Sequence, residues 1–135
     1  MNGEGAPFIL QPEGNNAVRW SSGERLHHLF EERCDRFEEL GSLQHPAIEL
    51  AEGVFSYGAL DRCANQLARY LLREGLGSGA VVALLFDKSI YCYMSLLAVL
   101  KINAAYVPLD PGFPAERISY IVSDSGVNSI LTLSS

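Results

Sequence analysis

Between His27 and Glu39 the chain carries two adjacent histidines, five carboxylates and two arginines, the densest run of groups that could ligate or catalyse. If this run is helical, His27 and His28 point about 100° apart and cannot chelate one metal. His28 with Glu31 or Glu32 has ligand-like spacing. With Arg33 and Arg36 interspersed, however, Glu31, Glu32, Asp35, Glu38 and Glu39 read as a salt-bridged solvent face rather than an acid/base pair. A second candidate is "DKS" (87–89), placed just past an apolar run, where open α/β sheets hold ligands beyond the carboxyl ends of strands. Ser89 as the N-cap of the next helix accounts for the same residues more simply. His45, before Pro46, is a loop residue that points to no chemistry.

Phosphate-binding and nucleophile motifs are also tested by their context. "GLGSG" (75–79) has glycines at G-x-G spacing, but a dinucleotide fingerprint follows a strand and opens a helix. Here it follows a helical pattern and precedes a strand, so it reads as a helix stop and connector. No G-x-x-x-x-G-K-[ST] and no G-x-S-x-G occurs. Cys34, Cys63 and Cys92 are odd in number, with no C-x-x-C and no histidine at ligand spacing, and read as reduced, mostly buried thiols of a reducing cytosol.

The bulk properties bound the rest. A chain of 135 residues is one ordinary domain, and at 48% apolar it is too hydrophobic to be disordered. A net charge of −6 with no basic face argues against nucleic acid. The longest apolar stretch, "SIYCYMSLLAVL" (89–100), falls well short of the roughly 20 residues that span hydrocarbon, so it predicts a buried helix and no membrane association. No basic head followed by an apolar block opens the chain, so no secretory signal is expected and a cytoplasmic location is.

The elements that must position these groups follow from periodicity. Residues 1–24, rich in Gly, Asn, Glu, Pro and Ser, show no period and read as a flexible lead-in. Leu26, Leu29, Phe30, Cys34, Phe37 and Leu40 step by three or four, predicting a helix with one buried stripe that Gly41 stops. Residues 47–50 and 54–56 flank "AEG" and predict a β-hairpin. Leu60, Cys63, Ala64, Leu67, Ala68, Leu71 and Leu72 predict an amphipathic helix closed by Gly75. "AVVALLF" (80–86) reads as a strand covered on both faces. The apolar helix over 89–101, a short strand at "AAYVPL", a helix from Pro114 to about Ser125 and a strand at "NSILTL" complete two consecutive βαβ crossovers. The expectation is an α/β fold: a short, mostly parallel sheet of βαβ units flanked by helices, plus a β-hairpin. In "LKINAAYVPLDPGFPAERI" (100–118) each special residue has a structural task. Pro108 closes a strand, Asp110 and Pro111 begin a turn, Gly112 relaxes it, and Pro114 opens a helix as its first residue.

Two segments together resemble a known family. "FSYGALDRCANQLARYLLREGLGSGAVVALLFDKS" (55–89) and "LAVLKINAAYVPLDPGFPAERISYIVSDSG" (97–126) are similar to the first two core motifs of adenylate-forming enzymes, in order and in spacing. P-L-D-P-x-x-P-x-x-R-I, from Pro108 to Ile118, is the most specific part, and the resemblance covers residues 25–135. Its nearest home is the adenylation domain of non-ribosomal peptide synthetases. The chain departs from the pattern at Ile102, Asn103 and Ala104, where small residues with glycine are usual. It departs also at Ala59, where Glu would complete a capping box, and at Ala80, where Asp is usual.

The resemblance implies an N-terminal part of an AMP-binding domain, residues 25–135, whose parent joins an amino acid or related carboxylic acid to ATP with Mg²⁺. The acyl group then passes to phosphopantetheine on a carrier domain. In the family the phosphate loop, the amino-acid pocket and the catalytic lysine come later in the chain. No residue is therefore assigned a catalytic, cofactor-binding or metal-binding role, no cofactor is expected on this part, and it is expected to be inactive alone. Its expected partners are the remainder of the adenylation domain and the carrier domain. Apolar surface left uncovered predicts self-association. Rival readings are a stand-alone interaction or dimerisation module that reuses this half-fold, and a small flavodoxin-like nucleotide-binding domain.

Overall fold

The computed structural model describes residues 25–133, so the lead-in expected over residues 1–24 lies outside the described residues. The elements run α1 (Leu26–Glu39), β1 (Pro46–Leu50), β2 (Gly53–Ser56), α2 (Tyr57–Arg73), β3 (Val81–Leu85), α3 (Ile90–Lys101), β4 (Ala105–Leu109), α4 (Ala115–Asp124) and β5 (Ser129–Thr132). β1 and β2 form an antiparallel hairpin. β3 is the centre of a three-stranded parallel sheet in the order β4-β3-β5, with Val82 opposite Tyr106 on one side and Ser129 on the other. The α/β class and the expected hairpin and crossovers hold.

β4 and β5 flank β3 on opposite sides, so the two crossovers run in opposite directions. With the right-handed sense that parallel crossovers take, α3 and α4 fall on opposite faces of the sheet. The α3 face is the better filled. Val82 and Leu84 of β3 join Ala68 and Leu71 of α2 and Ala98, Val99 and Ile102 of the α3 end in one buried cluster. α4 contributes no buried residue. Val81, Ala83 and Leu85 alternate onto its side of the sheet.

All four helices among the described residues end in the same motif. The residue after the C-cap has positive φ, at Gly41 (68°), Gly75 (86°), Asn103 (60°) and Gly126 (64°). The next amide then donates back to the last helical turn: Ser42 to the Phe37 carbonyl at 2.7 Å, Leu76 to Leu71 at 3.1 Å, Ala104 to Val99 at 3.1 Å and Val127 to Val122 at 3.4 Å. These are the 6→1 bonds of Schellman caps. Asn103 stands where glycine serves the other three helices.

Several expectations need correction. In α1, Leu26 is 56% exposed and Leu29 42%, and Leu40 is exposed too. The buried line is instead His27 and Cys34, with Phe30 and Phe37 half-buried between and beyond them. Tyr57 dictates this choice, because Phe30 and Phe37 pack on its ring at 5.7 and 4.9 Å and the Cys34 thiol faces its carbonyl at 3.8 Å. In α2, Leu60, Ala64, Ala68 and Leu71 are buried, while Cys63 and Leu72 are exposed. α3 is apolar on every side, yet only Ser95, Ala98 and Val99 are buried. Pro108 does not close β4. It sits inside the strand opposite Leu84, which the ladder tolerates because β4 is an edge strand with one neighbour. Pro114 is the N-cap of α4 rather than its first residue, since its ψ of 147° is extended.

Candidate functional site

β3 and β4 end side by side, Leu85 opposite Leu109, and the chain leaves them toward opposite faces. Such a divergence is where open α/β sheets hold ligands. A crevice of about 580 Å³ opens there, with Phe86, Asp87 and Lys88 from the loop after β3, Cys92 from α3, and Asp110 and Phe113 from the turn after β4. Sequence reasoning had pointed to "DKS" at this place, and the structure adds the turn after β4.

Several polar groups here hold the loops. Asp110 Oδ1 accepts the Gly112 N–H at 2.8 Å, and the Asp110 carbonyl accepts the Phe113 N–H at 3.0 Å. A Cβ on Gly112 would lie 3.2 Å from that same Oδ1, so a larger residue would have to push the aspartate back by a few tenths of an ångström. Arg117 lies over the Phe113 ring, 4.5 Å from its centroid, a cation–π contact that fixes the start of α4. Burial pushes the Cys92 thiol pKa above its ordinary value, which keeps it protonated and a poor nucleophile at neutral pH. Ser89 occupies the N-cap position of α3 with extended backbone, but its hydroxyl makes no cap bond. The Ile90 N–H is taken by Glu52 Oε1 at 2.9 Å, from the tip of the hairpin, and the buried Ser89 Oγ has no partner among the described residues.

The crevice offers a prospective ligand two carboxylates and one ammonium, Asp87, Asp110 and Lys88. With two carboxylates to one ammonium, that set does not by itself complement a triphosphate. Among the described residues no group of three or more His, Cys, Asp and Glu side chains could hold a metal.

The histidine and carboxylate run of α1 does not come together as a site. The rings of His27 and His28 meet edge to face at 4.5 Å, and His28 Nδ1 accepts the Arg25 N–H at 3.2 Å. Glu32, Asp35, Glu38 and Glu39 are exposed, with Arg36 pairing to Glu39 at 3.5 Å. Glu31 departs from the expected solvent face. It turns inward to Lys101 Nζ at 3.1 Å, and Asp61 Oδ1 completes the pair at 2.9 Å. The Lys101 side chain is 8% exposed, and its two partners join α1, α2 and α3 through one ammonium. Burial alone would lower the Lys101 pKa, but the hydrogen bonds and charges of Asp61 and Glu31 outweigh it and raise the pKa. Sequence reasoning missed this junction. Its only signal was a single lysine closing an otherwise apolar helix.

The 75–79 connector behaves as expected. Gly75 caps α2, and the Ala80 N–H turns back to the Gly77 carbonyl at 3.0 Å before β3 begins. No phosphate-binding turn forms. The thiols are all reduced, but only Cys34 is buried; Cys63 is exposed and Cys92 half-buried.

The parallel strands, their diverging crossovers and the P-L-D-P turn after β4 together point to one family. A model of the AMP-binding enzyme family matches residues 30–135. The chain belongs to that family. Tyrocidine synthase 1 of Brevibacillus parabrevis is 39% identical over 120 residues, which cover 89% of this chain and 11% of that protein. The N-terminal subdomain of Klebsiella oxytoca NpsA, solved in complex with 3-hydroxyanthranilyl-AMSN, is 25% identical with a TM-score of 0.71. It matches 78% of this chain and 26% of its own length. NpsA-ThdA, an artificially fused adenylation-PCP di-domain synthetase from the same organism, matches at 25% identity and a TM-score of 0.72, over 79% of this chain and 19% of that one. The chain thus corresponds to the N-terminal part of a non-ribosomal peptide synthetase adenylation domain, and spans a small share of the relatives it matches. No helix among the described residues is long and apolar enough to cross a membrane.

Proposed function

We propose that residues 25–135 are an N-terminal scaffold within an adenylation domain whose parent activates an amino acid or related carboxylic acid with ATP, and that residues 1–24 lead into it. The observation that carries this reading is the turn after β4. Asp110, Gly112, Phe113 and Arg117, all within the stretch that resembles the second core motif, are tied to one another by the hydrogen bonds of the turn and a cation–π contact, which is the work of a scaffold. The 135 residues then supply no catalytic, cofactor-binding or metal-binding group. ATP and Mg²⁺ belong to the parent, and phosphopantetheine to a carrier domain that receives the acyl group. The likeness to a protein described as an adenylation-PCP di-domain supports that partner. We place the protein in the cytoplasm, with no nucleic-acid partner.

The test is amino-acid-dependent ATP–pyrophosphate exchange. The 135-residue chain is expected to give none above buffer, and a longer chain carrying these residues is expected to exchange. Exchange by the 135 residues alone would overturn the assignment.

A further inference from the structure

Between β1 and the helices α1, α2 and α3 lies an apolar pocket of about 210 Å³. Phe30 of α1, Ile48 of β1, Tyr57 and Leu60 of α2, and Tyr93 and Leu97 of α3 line it, with no charged side chain among the lining residues. Leu60 is buried and the other five are half-buried. Apolar groups gathered around one concavity are wetted at a cost, and an apolar occupant removes that cost. The packing of α1 shows the same place from another side. Phe37 lies between Tyr57 and the His45 ring, at 4.9 and 4.4 Å. Phe30 stacks on Tyr57 at 5.7 Å and otherwise borders the pocket.

We propose that the indole of Trp20, from the same chain, fills this pocket. Trp20 lies outside the described residues; tether length, volume and chemistry together single it out. It is the chain's only tryptophan and stands five positions before Arg25. Five residues reach up to ~17 Å. Phe30 lies only ~6 Å along the helix axis from the first residue of α1, so the tether is long enough. The volume also suits. A dry apolar cavity of roughly 150 Å³ accepts benzene, and one of about 210 Å³ has room for the larger two-ring indole. A buried indole N–H needs an acceptor, and the phenol oxygens of Tyr57 and Tyr93 are the side-chain acceptors of this lining.

The other apolar cluster ahead of α1, Phe8-Ile9-Leu10, ends 15 positions before Arg25. The effective concentration of a tethered group falls as its tether lengthens beyond the span, which favours Trp20. Docking there ties the chain before α1 to the hairpin and to α3, and so sets the direction from which it approaches. The inference stands on these residues and does not depend on the function proposed above.

The test reads Trp20 fluorescence in a dilute solution of the 135-residue chain. Emission should lie at shorter wavelength than that of N-acetyltryptophanamide, and acrylamide should quench it severalfold less steeply. Ala47 also lines the pocket, and Ala47→Phe should fill it, moving the emission to the solvent-exposed wavelength and raising the quenching severalfold. Val54→Phe, at an exposed position of β2 outside the pocket, should change neither. Circular dichroism verifies the fold of both variants. In the wild type, which needs no substitution, nuclear Overhauser contacts are expected between the indole protons and the side chains of Phe30 and Leu97. Solvent-like emission of the wild type, absence of those contacts, or protection that survives Ala47→Phe in a folded chain overturns the proposal. So does protection that grows with protein concentration, because the occupant would then be Trp20 of a second copy.

Discussion

The ammonium of Lys101 has no local partner: Asp61 lies 40 residues away and Glu31 70 residues away. That separation is why the junction was invisible in a sequence whose helices were otherwise readable. A lysine that ends an apolar helix looks like a solvent anchor until three helices are packed. Removing it strands two carboxylates at the junction. Lys101→Met should therefore cost about 2 kcal/mol in urea unfolding, below the 3–5 kcal/mol of a fully buried pair because Glu31 is partly solvated. Adding Asp61→Asn to that variant should return part of the loss, and equal additive losses would refute the coupling. The folded pKa of Lys101 is raised, so its contribution is complete below the unfolded value near 10.5 and disappears as pH rises through the folded value. Wild type should lose stability over that alkaline window more steeply than Lys101→Met. The thiols divide as their surroundings do. Exposed Cys63 should react first with a disulfide reagent. Cys34, pushed up to about 11 by burial and then by Asp61, should react last, and fast labelling of Cys34 would contradict the packing of α1.

Helices and strands were legible because their punctuation is local. Gly41 and Gly75 stop helices, Ser56 accepts the Ala59 N–H at 3.1 Å as the N-cap of α2, and the hairpin turns at Gly53. The buried face of α1 was not legible. Leu26 and Leu29 are as apolar as the residues it buries, and only the position of Tyr57, outside the helix, decides between two adjoining stripes. Pro108 misled for a related reason, because a sequence cannot say whether a strand will have one neighbour or two. Asn103 is the weak cap of the set. Changing Asn103→Gly relieves a positive φ of 60° and should raise stability by about 0.5–1 kcal/mol, read as a higher urea midpoint at unchanged slope. Ser56→Ala should lower it by about 1 kcal/mol.

For the molecule as a whole, order of elements and short connections were enough to give the parallel sheet, since few topologies satisfy consecutive crossovers. How well each face is covered had to come from the structure. α4 buries nothing fully, Tyr120 is 70% exposed, and Ile130 and Leu133 are open around the β5 edge. That surface is the physical basis for expecting the 135 residues to associate with one another or with further chain. Sedimentation over a concentration series should show a dimer or larger species, reduced in a Tyr120→Ser, Ile130→Lys double variant. A monomer at every concentration would show that the uncovered face is tolerated in water.

Glu52 reaches 38 residues along the chain to hold the first amide of α3, while Ser89 beside it makes no cap. The first amide of that helix is therefore protected from solvent exchange only while the hairpin tip is seated. Deuterium uptake at the Ile90 amide becomes a clock for hairpin detachment, one that Glu52→Ala should set running at the rate of ordinary end fraying.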